Sequence, residues 1–320
     1  MKTHLSKSQF LRGLQCRKSL WLYRHRPELR TPPDAGQQAV FAAGTEVGLL
    51  AQKLFSGGTA VVYAGSTFDE KIARTKELIA AGVETIYEAT FSFDDVLVMV
   101  DILHHGIRGW ELYEVKSSTA VKDVHVNDVA VQYYVLTKSG LPILKASLVH
   151  INNQYVRYGG LEVKSLFSVE DLTARVEDLQ GTVDDDLVRM KAMFEEECPS
   201  IDIGPHCSDP YECDFTAHCW KHIPKPSVFD LARLNSNKKF ELYYKGVCSF
   251  KDIPEDCLLN PNQWMQVKAE LDNTENIDRT GIAGFLATLR YPLYFLDFET
   301  FQSVVPLFDG TRPYEQIPSQ

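Results

Sequence analysis

Apolar and polar positions alternate along the middle of the chain in a pattern that predicts a β-sheet. Asp94-Asp95 and the His105-Gly106 region interrupt this pattern with residues that favour turns. The order that results is an antiparallel meander, then a helix, then another strand. The strands predicted in this part of the chain are residues 85–93, 96–104, 110–117 and 144–152.

Apolar residues that recur every three or four positions predict helices around this sheet. The predicted helices are residues 8–25, 38–55, 124–139, 227–244 and 262–271, with one more that follows Ser66 and ends at Gly82. The acidic segment 162–214 predicts a long surface helix and then a cysteine-bearing loop, and strands are predicted at 59–63 and 291–300. The expected fold class is therefore α/β with a mixed sheet.

Length and charge narrow the classes of protein that fit. A chain of 320 residues can form two compact domains, or one large domain with an appendage. It has no apolar segment that could cross a membrane and no signal-peptide core at its N-terminus, so a cytoplasmic protein is expected. The net charge of −10 argues against indiscriminate nucleic-acid binding. Residues 1–30 nevertheless carry eight Lys or Arg against one acid, which suits either phosphate contact or a solvated helix face.

Three charged residues lie late in two neighbouring predicted strands. Asp101 is in one strand, and Glu114 and Lys116 are in the next, two residues apart. Because strand side chains alternate between faces, Glu114 and Lys116 point to one side, and a short turn brings Asp101 beside Glu114. The carboxylates could hold Mg²⁺ or Mn²⁺, with the Val115 carbonyl as a further ligand, while the lysine orients water or stabilises developing charge. This set suits hydrolysis of a phosphodiester bond.

An ordinary surface hairpin with an ion pair between its strands is the alternative interpretation of the same residues. Glu-x-Lys alone is common in proteins and carries little information. An Asp on the preceding strand, at hairpin spacing and among apolar residues, favours the metal-dependent site over the surface hairpin.

Asp101 with Glu114-Val115-Lys116 resembles the signature of the PD-(D/E)XK nuclease superfamily, and the following Asp128…Gln132-Tyr133 resembles the glutamine/tyrosine motif of its RecB-like branch. The resemblance implies a restriction-endonuclease-like core with flanking helices. It also implies that Asp101 and Glu114 bind metal, that Lys116 positions water, and that Gln132 and Tyr133 line the site. Glu88 resembles a glutamate on the first strand of that core, where it assists the metal or braces the site.

One position departs from the RecB-like pattern. Gly48 stands where that branch often has a metal-binding histidine, so either Glu46 or Glu88 compensates or the site binds metal more weakly. This departure keeps a second hypothesis open, in which the core no longer cuts but holds nucleic acid or a partner protein.

Four cysteines form a second pattern. Cys207, Cys213 and Cys219 are clustered, and Cys16 lies far upstream, a set of thiolates that suits zinc or a cubane iron–sulfur cluster. The arrangement is similar to that of the iron–sulfur nucleases of the AddB type and of the CRISPR-associated RecB-like exonucleases. The resemblance implies a structural 4Fe-4S cluster, and zinc remains the alternative.

The C-terminal segment carries a third hint. The apolar segment 294–300 contains Asp297 and Glu299, which resemble the first motif of DnaQ-like exonucleases of the RNase H fold. The chain stops at Gln320, before the later acidic motifs of that fold, so a truncated stub of a second nuclease domain is expected.

The sequence thus predicts three regions: a RecB-like nuclease with its cysteine cluster at 1–225, a helical connector at 226–290 and the DnaQ-like stub at 291–320. The expected activity is divalent-metal-dependent hydrolysis of DNA, in preference to RNA, at ends or on single strands. Repair or defence is the expected setting. No membrane association is expected.

Overall fold

The computed structural model describes residues 5–61 and 65–319. The chain divides into two compact units. Unit 1 comprises Met1–Pro27, Pro32–Ser200 and Glu299–Gln320, and unit 2 comprises Glu28–Thr31 and Ile201–Phe298. These divisions do not coincide with the boundaries at 225 and 290 that the sequence suggested.

Unit 1 contains the sheet that the alternating pattern predicted. Its elements up to residue 193 are β1 (Leu5–Ser6), α1 (Lys7–Gln15), α2 (Arg17–His25), α3 (Ala35–Ala51), β2 (Thr59–Ala60), α4 (Phe68–Ala80), β3 (Thr85–Phe93), β4 (Val96–Gly106), β5 (Gly109–Lys116), α5 (Asp123–Lys138), β6 (Ile143–Ile151), α6 (Val163–Leu166), β7 (Phe167–Asp171), α7 (Thr173–Asp178) and α8 (Gln180–Met193). The helices of unit 2 are α9 (Thr216–Cys219), α10 (Ser236–Tyr244), α11 (Pro261–Leu271) and α12 (Arg279–Thr288). Unit 1 then ends with β8 (Thr300–Gln302) and β9 (Gln316–Pro318).

The sheet of unit 1 has seven strands and mixed strand directions. Its order is β2-β3-β4-β5-β6-β7, with β1 paired to β4. The pairs β3–β4, β4–β5 and β6–β7 are antiparallel, whereas β1–β4, β2–β3 and β5–β6 are parallel. The parallel step from β5 to β6 is made through α5, as parallel neighbours require a crossover connection. The predicted mixed α/β class is confirmed.

The strands β4 and β5 separate at one end, and β1 fills the fork between them. The β4–β5 pairing runs from the Gly106–Gly109 end and stops at Ile102 and Tyr113. Beyond that point the same edge of β4 pairs with β1, in which Leu5 lies opposite Val96. The N-terminal segment is therefore placed at the end of β5, next to the residues that follow Tyr113.

The ladder between β3 and β4 is interrupted at Glu88 and Asp101. These two residues are opposite in register, but backbone pairing omits them, and Glu88 has a φ of 56°. The alternation of side chains between the two faces of β3 also shifts by one residue there. Ile86 and Ala89 are three residues apart, yet both belong to the same hydrophobic core. A left-handed backbone conformation at glutamate costs about 1 kcal/mol or more, and such strain is concentrated at functional sites.

Helices cover both faces of the sheet. On one face, α5 contributes Val126 and Val129 to a large core, here called core 1, which also contains α8. On the other face, Val47 and Ala51 of α3 pack with Val115 in a smaller core, here called core 2. Val115 therefore points away from α5, as the alternation predicted, and its neighbours on β5 point toward α5.

Two predicted helices of unit 1 differ from those observed. The helix predicted at 8–25 is divided into α1 and α2 at Cys16, whose backbone is extended at φ −159° and ψ 111°. The long helix expected in the acidic segment is shorter and is preceded by strand β7, an edge strand in which only Phe167 is buried. The charged residues of β7 interrupt the apolar alternation, so the sequence pattern did not predict this strand. Charged side chains are typical of edge strands.

Unit 2 has a small hydrophobic core of its own, which includes Val228, Leu242 and Val267. The helix predicted at 227–244 is wrong in its first half. A short 3-10 turn at Val228–Asp230 comes first, and α10 begins only at Ser236, after Asn235, whose side chain caps it. The helix predicted at 262–271 is present as α11.

The strand predicted at 291–300 is not present. No regular structure covers residues 291–299, and β8 starts at Thr300 and pairs only with β9. Tyr294, Phe295 and Leu296 are more than four-fifths exposed. An isolated strand has no partner for its backbone groups, so alternation of apolar residues alone does not produce one. Asp297 and Glu299 consequently do not lie on a strand, and both are exposed.

Two further expectations can be compared with the structure only within the described residues. The strand predicted at 59–63 is present as β2 at Thr59–Ala60, while residues 62–64 lie outside the described residues. Within the described ranges, every helix is either too short or too polar to cross a lipid bilayer.

We expect replacement of Phe10 in α1 to destabilise unit 1 strongly. Phe10 is 1% exposed in core 1, so Phe10→Ala should lower the free energy of unfolding by about 3–5 kcal/mol. Urea denaturation followed by circular dichroism measures this change. Phe68→Ala is the matched control, because Phe68 is 47% exposed and its loss should cost about 0.5 kcal/mol. Equal effects of the two changes would contradict the packing of α1 against the sheet.

Candidate active site

Asp101 and Glu114 meet where β4 and β5 separate. If the β4–β5 register continued by one residue beyond Ile102–Tyr113, Asp101 would lie opposite Glu114. At this position the side chain of Asp101, rather than its backbone, bonds to β5. Asp101 Oδ2 accepts a hydrogen bond from the Val115 N–H at 2.7 Å. Glu114 is 1% exposed and lies on the face covered by α5. The sequence predicted this pair of carboxylates from the hairpin spacing.

Helix α5 adds Asp128 and Gln132 to the two strand residues. Gln132 Nε2 donates to Glu114 Oε2 at 2.8 Å and to Asp128 Oδ1 at 3.1 Å. Both helix side chains are almost completely buried, so Gln132 is not a solvated helix position. Their spacing of four residues places them on one helix face, as expected.

Lys116 links the strand residues to the helix residues. Its Nζ lies 2.7 Å from Glu114 Oε1 and 2.6 Å from Asp128 Oδ2. Burial alone would lower the pKa of Lys116, but the charges of Glu114 and Asp128 outweigh burial and hold its pKa above the ordinary value. Lys116 is therefore a fixed ammonium group at this site.

A second ammonium group, Lys7, was not identified from the sequence. Lys7 directly follows β1, and its Nζ lies 2.7 Å from Glu114 Oε1 and 3.3 Å from Asp128 Oδ1. Its pKa is raised, because the charges of Asp128 and Glu114 outweigh the effect of burial. A charge imbalance in the sequence could have indicated a second lysine. Three carboxylates were predicted among apolar residues of the strands and of the helix, and Lys116 was their only predicted counter-ion.

Glu88 belongs to the same cluster, as the sequence suggested. It lies opposite Asp101 at the interruption of the β3–β4 ladder. Burial raises the pKa of Glu88, the nearby charge of Lys7 opposes this shift, and Glu114 adds to it. The cluster thus contains carboxyl groups from three adjacent strands and one helix.

The carboxyl groups differ in their tendency to ionise. Burial, followed by the charge of Glu114, raises the pKa of Asp101 to about 8. The same causes raise the pKa of Asp128. Burial would also raise the pKa of Glu114, but Lys116 and Lys7 hold it well below its usual range. Glu114 therefore carries a negative charge at neutral pH, while Asp101 favours its protonated form.

A histidine at the first turn of α5 lies near the cluster. His125 is buried, and its side chain accepts from the Lys122 N–H at 3.2 Å. Burial and the charge of Lys116 lower the pKa of His125 to about 4. His125 is thus neutral at pH 7 and adds no positive charge to the site.

Some predicted site residues are placed elsewhere. The hydroxyl of Tyr133 donates to Glu177 Oε1 of α7 at 3.1 Å, and Glu177 does not belong to the cluster around Glu114. Gly48 and Glu46 lie on α3, which packs on the face of Val115 rather than on that of Glu114. Apart from its neighbours in α3, a Cβ added at Gly48 would meet no atom of the described residues within 4 Å, and Glu46 is exposed.

The donor chemistry of the cluster fits a hard divalent cation. Its potential ligands are carboxylate oxygens, the type that Mg²⁺ and Mn²⁺ prefer. Gln132 Oε1 is buried and has no hydrogen-bond partner among the described residues, an acceptor open to a further donor. As these side chains stand, no three His, Cys, Asp or Glu residues within 5–61 and 65–319 form a group that could hold a metal ion. The ammonium groups of Lys7 and Lys116 contact the oxygens that such a cation would use.

Three of the four predicted thiolate ligands lie in one loop of unit 2. The Cys213 N–H donates to the Cys207 carbonyl at 2.9 Å, which closes the segment between them. Cys219 ends the short helix α9, and all three side chains are half-buried. Cys16 lies in unit 1, at the junction of α1 and α2. Thiol donors suit zinc or an iron–sulfur cluster better than they suit a hard cation.

A cavity of about 860 Å³ begins just beyond the end of β5. The loop from Ser118 to Lys122 forms one wall, and the segment from Gly310 to Glu315 forms another. Tyr314 fixes this second wall, because its hydroxyl donates to the Ser117 carbonyl. Two basic residues, Lys122 and Arg312, line the cavity together with one acid, Glu315, whose carboxylate accepts from the Arg312 N–H at 2.8 Å.

The comparisons with known proteins bear on the C-terminal segment. A family model described as a domain of unknown function (DUF2779) matches residues 294–320. A search of curated proteins finds no match to the chain. The matched segment includes Tyr314 and Arg312, so it contributes to the wall of the cavity beside β5.

We expect Asp101 to make the stability of the protein fall as pH rises. Its pKa of about 8 in the folded protein lies above the ordinary value of 3.8, so the folded state binds this proton more tightly than the unfolded chain does. The stabilising contribution is complete below about pH 4 and is lost as pH rises through about 8. Asp101→Asn should therefore melt a few degrees above the parent protein at pH 9 in EDTA, with a smaller difference at pH 4.

Thermal unfolding at several pH values measures this difference, and the asparagine can still accept from the Val115 N–H. Asp185→Asn on α8 is the control, because Asp185 is exposed and should show no such trend. A difference between Asp101→Asn and the parent protein that does not change with pH would contradict the raised pKa.

Proposed function

We propose that this protein is a divalent-metal-dependent nuclease that hydrolyses DNA. The observation that carries the proposal is the convergence of Asp101, Glu114, Lys116, Asp128 and Gln132 at the fork between β4 and β5. The same residues carry the sequence resemblance to the RecB-like branch of the PD-(D/E)XK superfamily. Contacts within hydrogen-bond distance make an accidental surface hairpin a poor explanation of the sequence pattern.

The residues of the chain have distinct roles in this proposal. Asp101 and Glu114 would hold the divalent ion, which supplies polarisation of the phosphate and a lower pKa for water when bound. Lys116 stands 2.7 Å from Glu114, where its ammonium group can orient water or stabilise the charge that develops on the phosphate. Gln132 holds Glu114 Oε2 and keeps that carboxylate in a single orientation. Asp128 fixes Lys116 in turn through its Oδ2.

The cavity beside β5 supports a polyanionic substrate. Its lining has two basic residues, Lys122 and Arg312, against one acid, Glu315, and it begins two residues beyond Lys116. A nucleic-acid strand that enters it would bring phosphates past the end of the Glu-x-Lys strand, and basic side chains bind phosphates by charge and hydrogen bonds. We propose DNA ends or single strands as the substrate and repair or defence as the setting, as the family resemblance suggests.

We also propose that Cys207, Cys213 and Cys219 are ligands of a structural 4Fe-4S cluster. What supports this is the compact loop in which the Cys213 N–H bonds the Cys207 carbonyl, together with the thiol chemistry of the three side chains. The sequence resemblance implies Cys16 as the fourth ligand. Zinc is the alternative occupant, since it accepts the same donors.

Lys116→Ala should remove the nuclease activity, and circular dichroism checks that the variant is folded, because the substitution also removes a counter-ion of Glu114 and Asp128. The assay uses anaerobically purified protein, Mg²⁺ or Mn²⁺, and end-labelled single- and double-stranded DNA. We expect kcat to fall about a hundred-fold or more, because Lys116 stabilises charge at the reacting phosphate. Lys138→Ala is the matched control, since Lys138 ends the same helix α5 that carries Asp128.

The outcomes of this assay separate the candidate functions. Loss of cleavage in Lys116→Ala and Glu114→Gln, with activity kept in Lys138→Ala, supports the enzyme. Cleavage that survives both changes argues that another site or a contaminant is responsible. Binding of DNA by the parent protein without cleavage under any metal supports the non-cutting binding module instead, with Gly48 as the departure that explains it.

Cys213→Ser should reduce the iron and sulfide content of the purified protein. The measurement is iron, zinc and sulfide analysis of the purified protein, together with its visible absorption spectrum. Cys198→Ser is the control, since Cys198 lies outside the cysteine loop, and Cys16→Ser tests the fourth ligand. Zinc in the parent protein in place of iron would select the alternative occupant.

A further inference from the structure

Lys7 and Lys116 share one oxygen of Glu114. Each Nζ lies 2.7 Å from Glu114 Oε1, and Gln132 Nε2 donates to Oε2. A carboxylate oxygen has about two lone-pair sites, so protein donors already fill those of Oε1. A cation that binds through this oxygen has to replace one of the two ammonium groups.

The backbone holds Lys7 at this position. Leu5 and Ser6 pair with β4 in the fork, so the residue that follows them faces the end of β5. Ser6 and Gln9 form a reciprocal capping box, which fixes the first turn of α1 around Lys7. Phe10 then buries the next turn in core 1. Lys7 is thus a component of the site rather than a mobile surface lysine.

The two lysines differ in how firmly they are held. Lys116 has a second short contact, 2.6 Å to Asp128 Oδ2, whereas the second contact of Lys7 is 3.3 Å to Asp128 Oδ1. Lys116 also lies on a central strand, with β4 and β6 on either side of β5. Of the two ammonium groups, Lys7 is the one that a divalent cation can replace at the lower cost.

We propose that Lys7 is a positioning residue that competes with the divalent cation for Glu114. Its ammonium group neutralises Glu114 and Asp128 and holds both carboxylates in place until the cation displaces it. The inference rests on the proposed metal-dependent function and adds a residue from the N-terminal segment to that site. Metal affinity and protein stability are then coupled through a single side chain.

Direct titration with Mn²⁺ tests the competition without any reaction. Electron paramagnetic resonance of free Mn²⁺ measures the dissociation constant of the parent protein, of Lys7→Met and of Lys7→Gln. Both variants should bind Mn²⁺ about ten-fold more tightly or better, because a positive charge within a few ångströms is removed. Lys76→Met, an exposed lysine on α4, is the charge-matched control and should bind as the parent protein does.

Thermal unfolding supplies a second readout. In EDTA, Lys7→Met and Lys7→Gln should melt below the parent protein, because two buried carboxyl groups lose a counter-ion. Mn²⁺ should raise their melting temperatures by more than it raises that of the parent protein. If one variant does not fold in EDTA, the other variant and the Mn²⁺-loaded samples still report the coupling.

The results distinguish this inference from the proposed function. If the parent protein binds Mn²⁺, Glu114→Gln does not, and the Lys7 variants bind no more tightly than the parent, the metal site stands and competition by Lys7 is wrong. Failure of the parent protein and of both Lys7 variants to bind Mn²⁺ would overturn both proposals. Tighter binding in the Lys7 variants alone, with no change in Lys76→Met, is the result we expect.

Discussion

Neutralisation of buried carboxyl groups is the constraint on which the rest of this site depends. Glu114 and Asp128 are almost completely buried, and Asp101 and Glu88 are close to them. A buried carboxylate without a partner is costly, whereas one that is paired and hydrogen-bonded can be tolerated. The chain meets this requirement in two ways: Lys7 and Lys116 contact Glu114, and the raised pKa of Asp101 favours its neutral form. The cluster is thus held near neutrality without metal.

The shape of the sheet supplies the room for this cluster. Strands β4 and β5 stop pairing at Ile102 and Tyr113, and the β3–β4 ladder omits Glu88 and Asp101. Each interruption releases backbone groups, and side chains take their place, as the Asp101–Val115 contact illustrates. The irregular part of the sheet is therefore where the polar residues gather, while the regular part holds cores 1 and 2. Strained backbone at such positions is common in functional sites.

Much of the site could be predicted because its signals are local. Asp101, Glu114 and Lys116 follow from strand alternation and a short turn, and Asp128 and Gln132 follow from helix periodicity. Lys7 could not be found in this way, since its contact spans 107 positions of the chain. The strand expected at 291–300 failed for the converse reason: its pattern is local, but no neighbouring strand pairs with residues 294–298.

Strand β1 also has a consequence for the order in which the chain folds. Leu5 pairs with Val96, so the N-terminal segment can join the sheet only when β4 is available to pair with it. Contacts so distant in sequence form slowly, because a long loop must be closed first. During synthesis, the segment that carries Lys7 leaves the ribosome well before Glu114 and Asp128 do. The counter-ion is thus made before its partners and docks after β4 has formed, so enclosure of the acidic cluster follows formation of this part of the sheet rather than starting it.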